Sequence, residues 1–184
     1  MDPRTTWVII AALAVIGFVA WWYFRQQRTS ALKHRFGPEY DRLVEEKGKP
    51  SRAERELKAR TRRVEKLAIR PLAPAQRDHY CELWKEQQAR FVDEPKAAID
   101  KADHLVEEVM KERGYPVGTF DQRVADISVD HPQVIDNYRA AHEIAELERL
   151  GQATTEDLRR AMVHYRNLFL ELLEDPRPQG VPAR

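Results

Sequence analysis

The segment TTEDLRRAMVHYRNLFLELL, residues 154–173, writes out an amphipathic helix. Leu158, Ala161, Met162, Tyr165, Leu168, Phe169 and Leu172 recur at three- and four-residue intervals, the period of one helix face. Ahead of them, Thr154-Thr155-Glu156-Asp157 supplies side-chain oxygens for the free N–H groups of a first turn and acids for its positive end. The same pattern precedes it. Pro132 opens a helix with Val134, Ile135, Tyr138, Ala141 and Ala145 inward, closed at Gly151. A short helix from Thr119 or Asp121 to about Ile127 comes before that, after the turn at residues 113–118. Pro95 opens a helix striped by Ala98, Ala102, Leu105, Val109 and Met110, and Tyr80, Trp84, Gln87 and Phe91 share one face of another. Two helical hairpins, 74–113 and 132–174, bury these stripes most simply as a mostly antiparallel bundle. The expected class is all-α: an N-terminal transmembrane helix, a basic amphipathic helix, then the bundle.

Residues 70–74, Arg-Pro-Leu-Ala-Pro, mark the clearest boundary, because two prolines hold the chain extended. Upstream, Ser51 and Glu54 have capping-box spacing and open a helix to about Leu67. Its stripe of Ala53, Leu57, Val64 and Leu67 is thin, and Glu54–Lys58 and Glu56–Arg60 are spaced for ion pairs. This predicts a surface helix or a narrow seam. A shorter helix over residues 39–46 ends at Gly48, and Gly37-Pro38 breaks the helix before it.

Residues 7–24 form an uncharged apolar run. As a helix, eighteen residues extend roughly 27 Å, close to the ~30 Å hydrocarbon core. Trp7 stands at one end and Trp21, Trp22 and Tyr23 at the other, as rings at headgroup level should. A cleaved signal peptide is the competing reading; bulky residues 21–24 stand where small cleavage-site residues would be needed. Arg25, Arg28, Lys33 and Arg35 follow the run, against Arg4 before it. The larger basic cluster stays inside, which predicts a single-pass plasma (inner) membrane protein with a cytoplasmic C-terminal domain. The lone Cys81 allows no intramolecular disulfide and suits a reducing compartment. An exported domain is the alternative.

The net charge of +1 conceals an asymmetry. Residues 25–70 hold 15 Lys/Arg against 7 Asp/Glu, and residues 71–184 hold 15 against 22. A collar of +8 thus adjoins the membrane and a domain of −7 lies beyond. Anionic lipid attracts such a collar by about 1 kcal/mol per basic residue, making Arg25, Arg28, Lys33 and Arg35 the lipid-contact candidates. The expected organisation is an anchor over 1–24, a basic juxtamembrane segment over 25–70, the bundle over 71–174 and a disordered tail over 175–184.

Catalytic signatures are sparse. Residues 125–132, Ala-Asp-Ile-Ser-Val-Asp-His-Pro, put Asp126, Asp130 and His131 at a helix junction. One reading is structural: Ser128 or Asp130 caps the Pro132 helix and Asp126 or His131 joins a local salt link. The other is a small binding or acid–base cluster. His104 and Glu107 share a helix face, but no H-E-x-x-H or paired-cysteine pattern accompanies them, so no metal or cofactor is expected. His79 and Cys81 point apart on a helix. Glutamates interrupt the basic stretch 51–70 and no reader module is recognisable, so nucleic acid is not an expected partner.

Four segments, RFGPEYDR (35–42), RGYP (113–116), residues 125–132 and TEDLR through Tyr165-Arg166 (155–166), resemble an uncharacterised family of bacterial single-pass membrane-anchored helical proteins. The resemblance implies this chain architecture and no activity, cofactor or partner. The function expected is a membrane-tethered, non-catalytic adaptor or scaffold for an unknown protein partner. Two alternatives stand beside it: a small hydrolase or metal-dependent enzyme using residues 126–131, and an anionic-lipid surface sensor.

Overall fold

The structure, a computed structural model, describes residues 29–174 together with Ile16, Gly17, Trp22 and Gln27. The apolar run 7–24, apart from those three of its residues, and the tail 175–184 lie outside it. Among the described residues every regular element is a helix. In order these are α1 (29–36), α2 (Pro38–Lys47), α3 (Pro50–Val64), α4 (Pro74–Arg90), α5 (Pro95–Arg113), α6 (Phe120–Asp130), a 3-10 turn (Pro132–Val134), α7 (Ile135–Arg149) and α8 (Thr155–Leu173). No helix among the described residues is long and apolar enough to cross a membrane.

Contacts divide the chain into two compact units at Arg55/Glu56. In the first, α1 ends at Gly37, whose φ of +49° lets the chain turn straight into Pro38. Phe36, Tyr40, Leu43 and Ala53 are buried. Ser51 does not cap α3 as expected; Pro50 already occupies the first turn, and Glu54 accepts a hydrogen bond from Thr29 Oγ1 at 2.8 Å.

In the second unit, α5 packs on α4 and on α8, and α8 packs on α7, which buries the anticipated stripes. The core runs through Ile99, Val106, Met110, Ile135, Tyr138, Leu158, Leu168 and Phe169. Trp84 from α4 stacks on Phe169 of α8, with centroids 4.7 Å apart. Thr154 forms the expected box: its hydroxyl accepts from the Asp157 N–H while the Asp157 carboxylate accepts from the Thr154 N–H. Gly114 has φ +97°, and a Cβ there would sit 2.7 Å from the Ala68 carbonyl oxygen. This close approach lets residues 68–70 lie against the end of α5, where the Arg70 N–H donates to the Arg113 carbonyl at 2.9 Å.

Two helices differ in detail from what their sequences suggest. Of the two expectations for α3, a surface helix or a narrow seam, its portion in this unit fits the seam: Leu57, Arg60 and Val64 are all buried, while Leu57 and Val64 stand outside the main core cluster. Its stripe was read as thin because Arg60, an ion, continues it. Helix α6 also runs to Asp130, three residues beyond the expected end. Nothing in residues 120–130 breaks a helix, and the chain leaves helical geometry only at His131, the residue before Pro132.

Candidate functional site

The longer α6 changes what residues 126–131 do. Ser128 sits inside the helix, where its hydroxyl donates back to the Ala125 carbonyl at 2.8 Å. No side chain caps the Pro132 turn, so the expected capping by Ser128 or Asp130 does not occur. The three charged candidates face three different neighbours. Asp126, fully buried, accepts from Arg63 Nε of α3 at 2.7 Å and from Gln122 Nε2 at 2.8 Å. Asp130 accepts from the Tyr115 hydroxyl at 2.9 Å. His131, also fully buried, has Nδ1 3.0 Å from Glu171 Oε1 of α8 and Nε2 3.3 Å from Arg113 Nη1 of α5. The salt links that were expected to be local therefore reach across 63 and 40 residues.

These contacts assign the imidazole. A guanidinium can only donate, so Nε2 must accept from Arg113, and Nδ1 carries the proton given to Glu171. The ring is neutral. Burial, the largest influence, pushes its pKa below the ordinary value, and the Arg113 charge acts in the same direction. Arg113 also donates from Nη1 to the Leu172 carbonyl at 2.9 Å. A histidine held on both nitrogens, with its ring fully buried, ties the end of α6 to α5 and α8.

A second polar network escaped the sequence reading. Arg123 of α6 donates from Nε to the Tyr138 hydroxyl at 2.8 Å and from Nη1 to Glu107 Oε1 at 2.9 Å. Nearby, Asp103 of α5 is buried, with Arg149 3.8 Å from its Oδ2. His142 Nδ1 is buried with no hydrogen-bond partner, and the buried Tyr165 hydroxyl lies close enough to the Asp103 carboxylate to interact with it. Phe120 stacks on the His142 ring at 3.6 Å between centroids. Burial drives the pKa of both Tyr138 and Tyr165 far up, and the Asp103 charge adds to it, so both phenols stay protonated at physiological pH. The signal for Asp103 was available: it continues the inward row Ile99, Val106, Met110.

His104 and Glu107 stand 3.9 Å apart, and Glu107 is already engaged by Arg123. No group of three or more His, Cys, Asp or Glu side chains converges as metal ligands among the described residues. Cys81 is half-buried at the margin of the core. Of the lipid-contact candidates, Arg25 and Arg28 lie outside the described residues. Lys33 pairs with Asp41 at 3.2 Å, and Arg35 lies over the Phe36 ring.

Solvent-facing concavities lie along α5. A groove of about 560 Å³ lies between its outer face and the following turn, lined by His104, Glu108, Lys111, Tyr115 and Val117 among others. A second hollow of about 370 Å³ shares His104 and Glu108 and reaches Leu83 and Gln87 of α4. No protein-family model, curated protein or solved structure matches the chain.

Proposed function

We propose that this is a bacterial single-pass inner-membrane protein whose helical domain faces the cytoplasm and binds other proteins as a tether or adaptor, without catalysis. The observation that supports a non-catalytic reading is the divergence of Asp126, paired with Arg63 of α3, from His131, which lies between Glu171 of α8 and Arg113 of α5. An acid–base site needs such groups to converge where a substrate can reach them. The open α5 groove, with exposed Pro116 and Val117 beside charged Glu108 and Lys111, offers mixed contact of the kind peptides use. The anchor rests on the uncharged run 7–24; Ile16 and Trp22 within it are 64% and 60% exposed, apolar side chains with little protein cover. Cytoplasmic placement rests on the basic flank after residue 24.

The test is photocross-linking in membranes, using the full chain with a reactive residue at Val117 or, as a control, at exposed Arg159 on α8. A discrete protein adduct from position 117 that position 159 does not give would support the adaptor. Equal labelling from both positions, or none, would overturn it.

One observation favours lipid contact as a second reading. In the Glu56–Arg70 stretch, Arg60 and Arg63 are spent on Ser128 and Asp126, while Lys58, Arg62 and Lys66 are exposed and in no ion pair among the described residues. These three, rather than Arg60 or Arg63, are the basic side chains of that stretch left for an anionic bilayer.

A further inference from the structure

We propose that His131, Arg113 and Glu171 form an acid-sensitive latch on the C-terminal end of α8. The last carbonyls of a helix have no partner within it. At the end of α8, Arg113 Nη1 supplies partners from another helix, donating to the Leu172 carbonyl at 2.9 Å and standing 3.5 Å from the Glu174 carbonyl. The same Nη1 lies against His131 Nε2. One buried guanidinium nitrogen thus joins the imidazole to the helix end.

That arrangement tolerates one protonation state of His131. Neutral, the ring accepts at Nε2 and donates at Nδ1. Protonated, it presents an N–H to the Arg113 N–H, two donors and two positive charges 3.3 Å apart, the imidazole and the guanidinium both buried. The groups facing the ring from each neighbouring element do not all push the same way. Arg113 from α5 opposes protonation, whereas Glu171 from α8 and Asp130 at the end of α6 favour it. Gln133 of the 3-10 turn donates to the Glu171 carboxylate, and Tyr115 donates to Asp130, so both acids are already partly engaged. Burial of the ring adds to the opposition from Arg113. Acidification therefore displaces the guanidinium, and with it goes the hold on Leu172 and Glu174. The last turn of α8 opens while the centre of the bundle, held by apolar contacts, stays closed.

Hydrogen exchange of the full chain between pH 7.5 and pH 5, corrected for intrinsic rates, tests this directly. Protection in residues 168–174 should fall at least tenfold at the acid end, with residues 102–109 unchanged. His131→Gln, which cannot titrate, should remove the pH dependence. Glu171→Gln removes the charge that favours protonation and should move the opening midpoint to lower pH. An unchanged pH profile in His131→Gln would overturn the latch. If His131→Gln fails to fold, a Glu171→Gln midpoint that does not fall would overturn it independently.

Discussion

Arg113 is 1% exposed; its Nη1 meets His131 and carbonyls of α8, while its Nε is buried with no partner. Removing a partner should therefore cost more than a surface cap. His131→Gln is expected to lose about 1–3 kcal/mol in urea unfolding, the penalty for a buried group left unsatisfied. The loss carries a pH signature. The folded pKa of His131 is below its unfolded value near 6.5, so the unfolded chain binds the extra proton first. Stability is full above that value and declines as pH falls through it, flattening below the folded pKa; unfolding at pH 7.5 and 5.5 should show the decline in wild type and lose it in His131→Gln. Trp84→Ala should cost about 3–5 kcal/mol, since the indole is buried and stacked on Phe169. Trp84 could be read from its stripe. Arg60, Asp103 and Arg113 were passed over because an ion in an apolar row looks like the row's end, until a partner far along the chain is known to reach it.

Elements were legible where punctuation and period agree. Pro95, Thr119, Gly151 and Thr154 set the ends of α5 to α8 much as the sequence suggests. They misled where a local motif had a stronger competitor, as Ser51 did beside Pro50. The seam of α3 is legible in its stripe, but the pairing of Arg63 with Asp126, 63 residues away, is one no local pattern encodes. A chain beginning at Glu56 should melt cooperatively. One beginning at Pro71 loses Leu57 and Val64 from burial, about 1.5–3 kcal/mol each, and should be less stable by about 3–6 kcal/mol. Equal melting of the two would place residues 56–70 outside the cooperative unit.

At the scale of the whole molecule, charge and hydropathy along the sequence are the grounds for the proposed membrane placement. A C-terminal reporter active only in the cytoplasm should be active; strong alkaline phosphatase activity would place the domain outside. If the basic stretch contacts lipid, replacing Lys58, Arg62 and Lys66 by Ala should weaken binding to anionic vesicles by roughly 100-fold at low salt, at about 1 kcal/mol each. The effect should shrink as salt screens it over about 8 Å. The α5 groove was not legible, because its residues form no motif; it exists only once α5 and the turn after it are folded. The candidate site was legible as a cluster of polar residues and illegible as a geometry, since Asp126 and His131 point to different helices. That divergence is the account's central claim, and a double-mutant cycle measures it. Asp126→Asn and His131→Gln, singly and together, should give unfolding free-energy changes that add to within about 0.5 kcal/mol, as sites with no shared partner do. A coupling above about 1 kcal/mol would mean the two residues serve one site, and would contradict the structural role assigned to them.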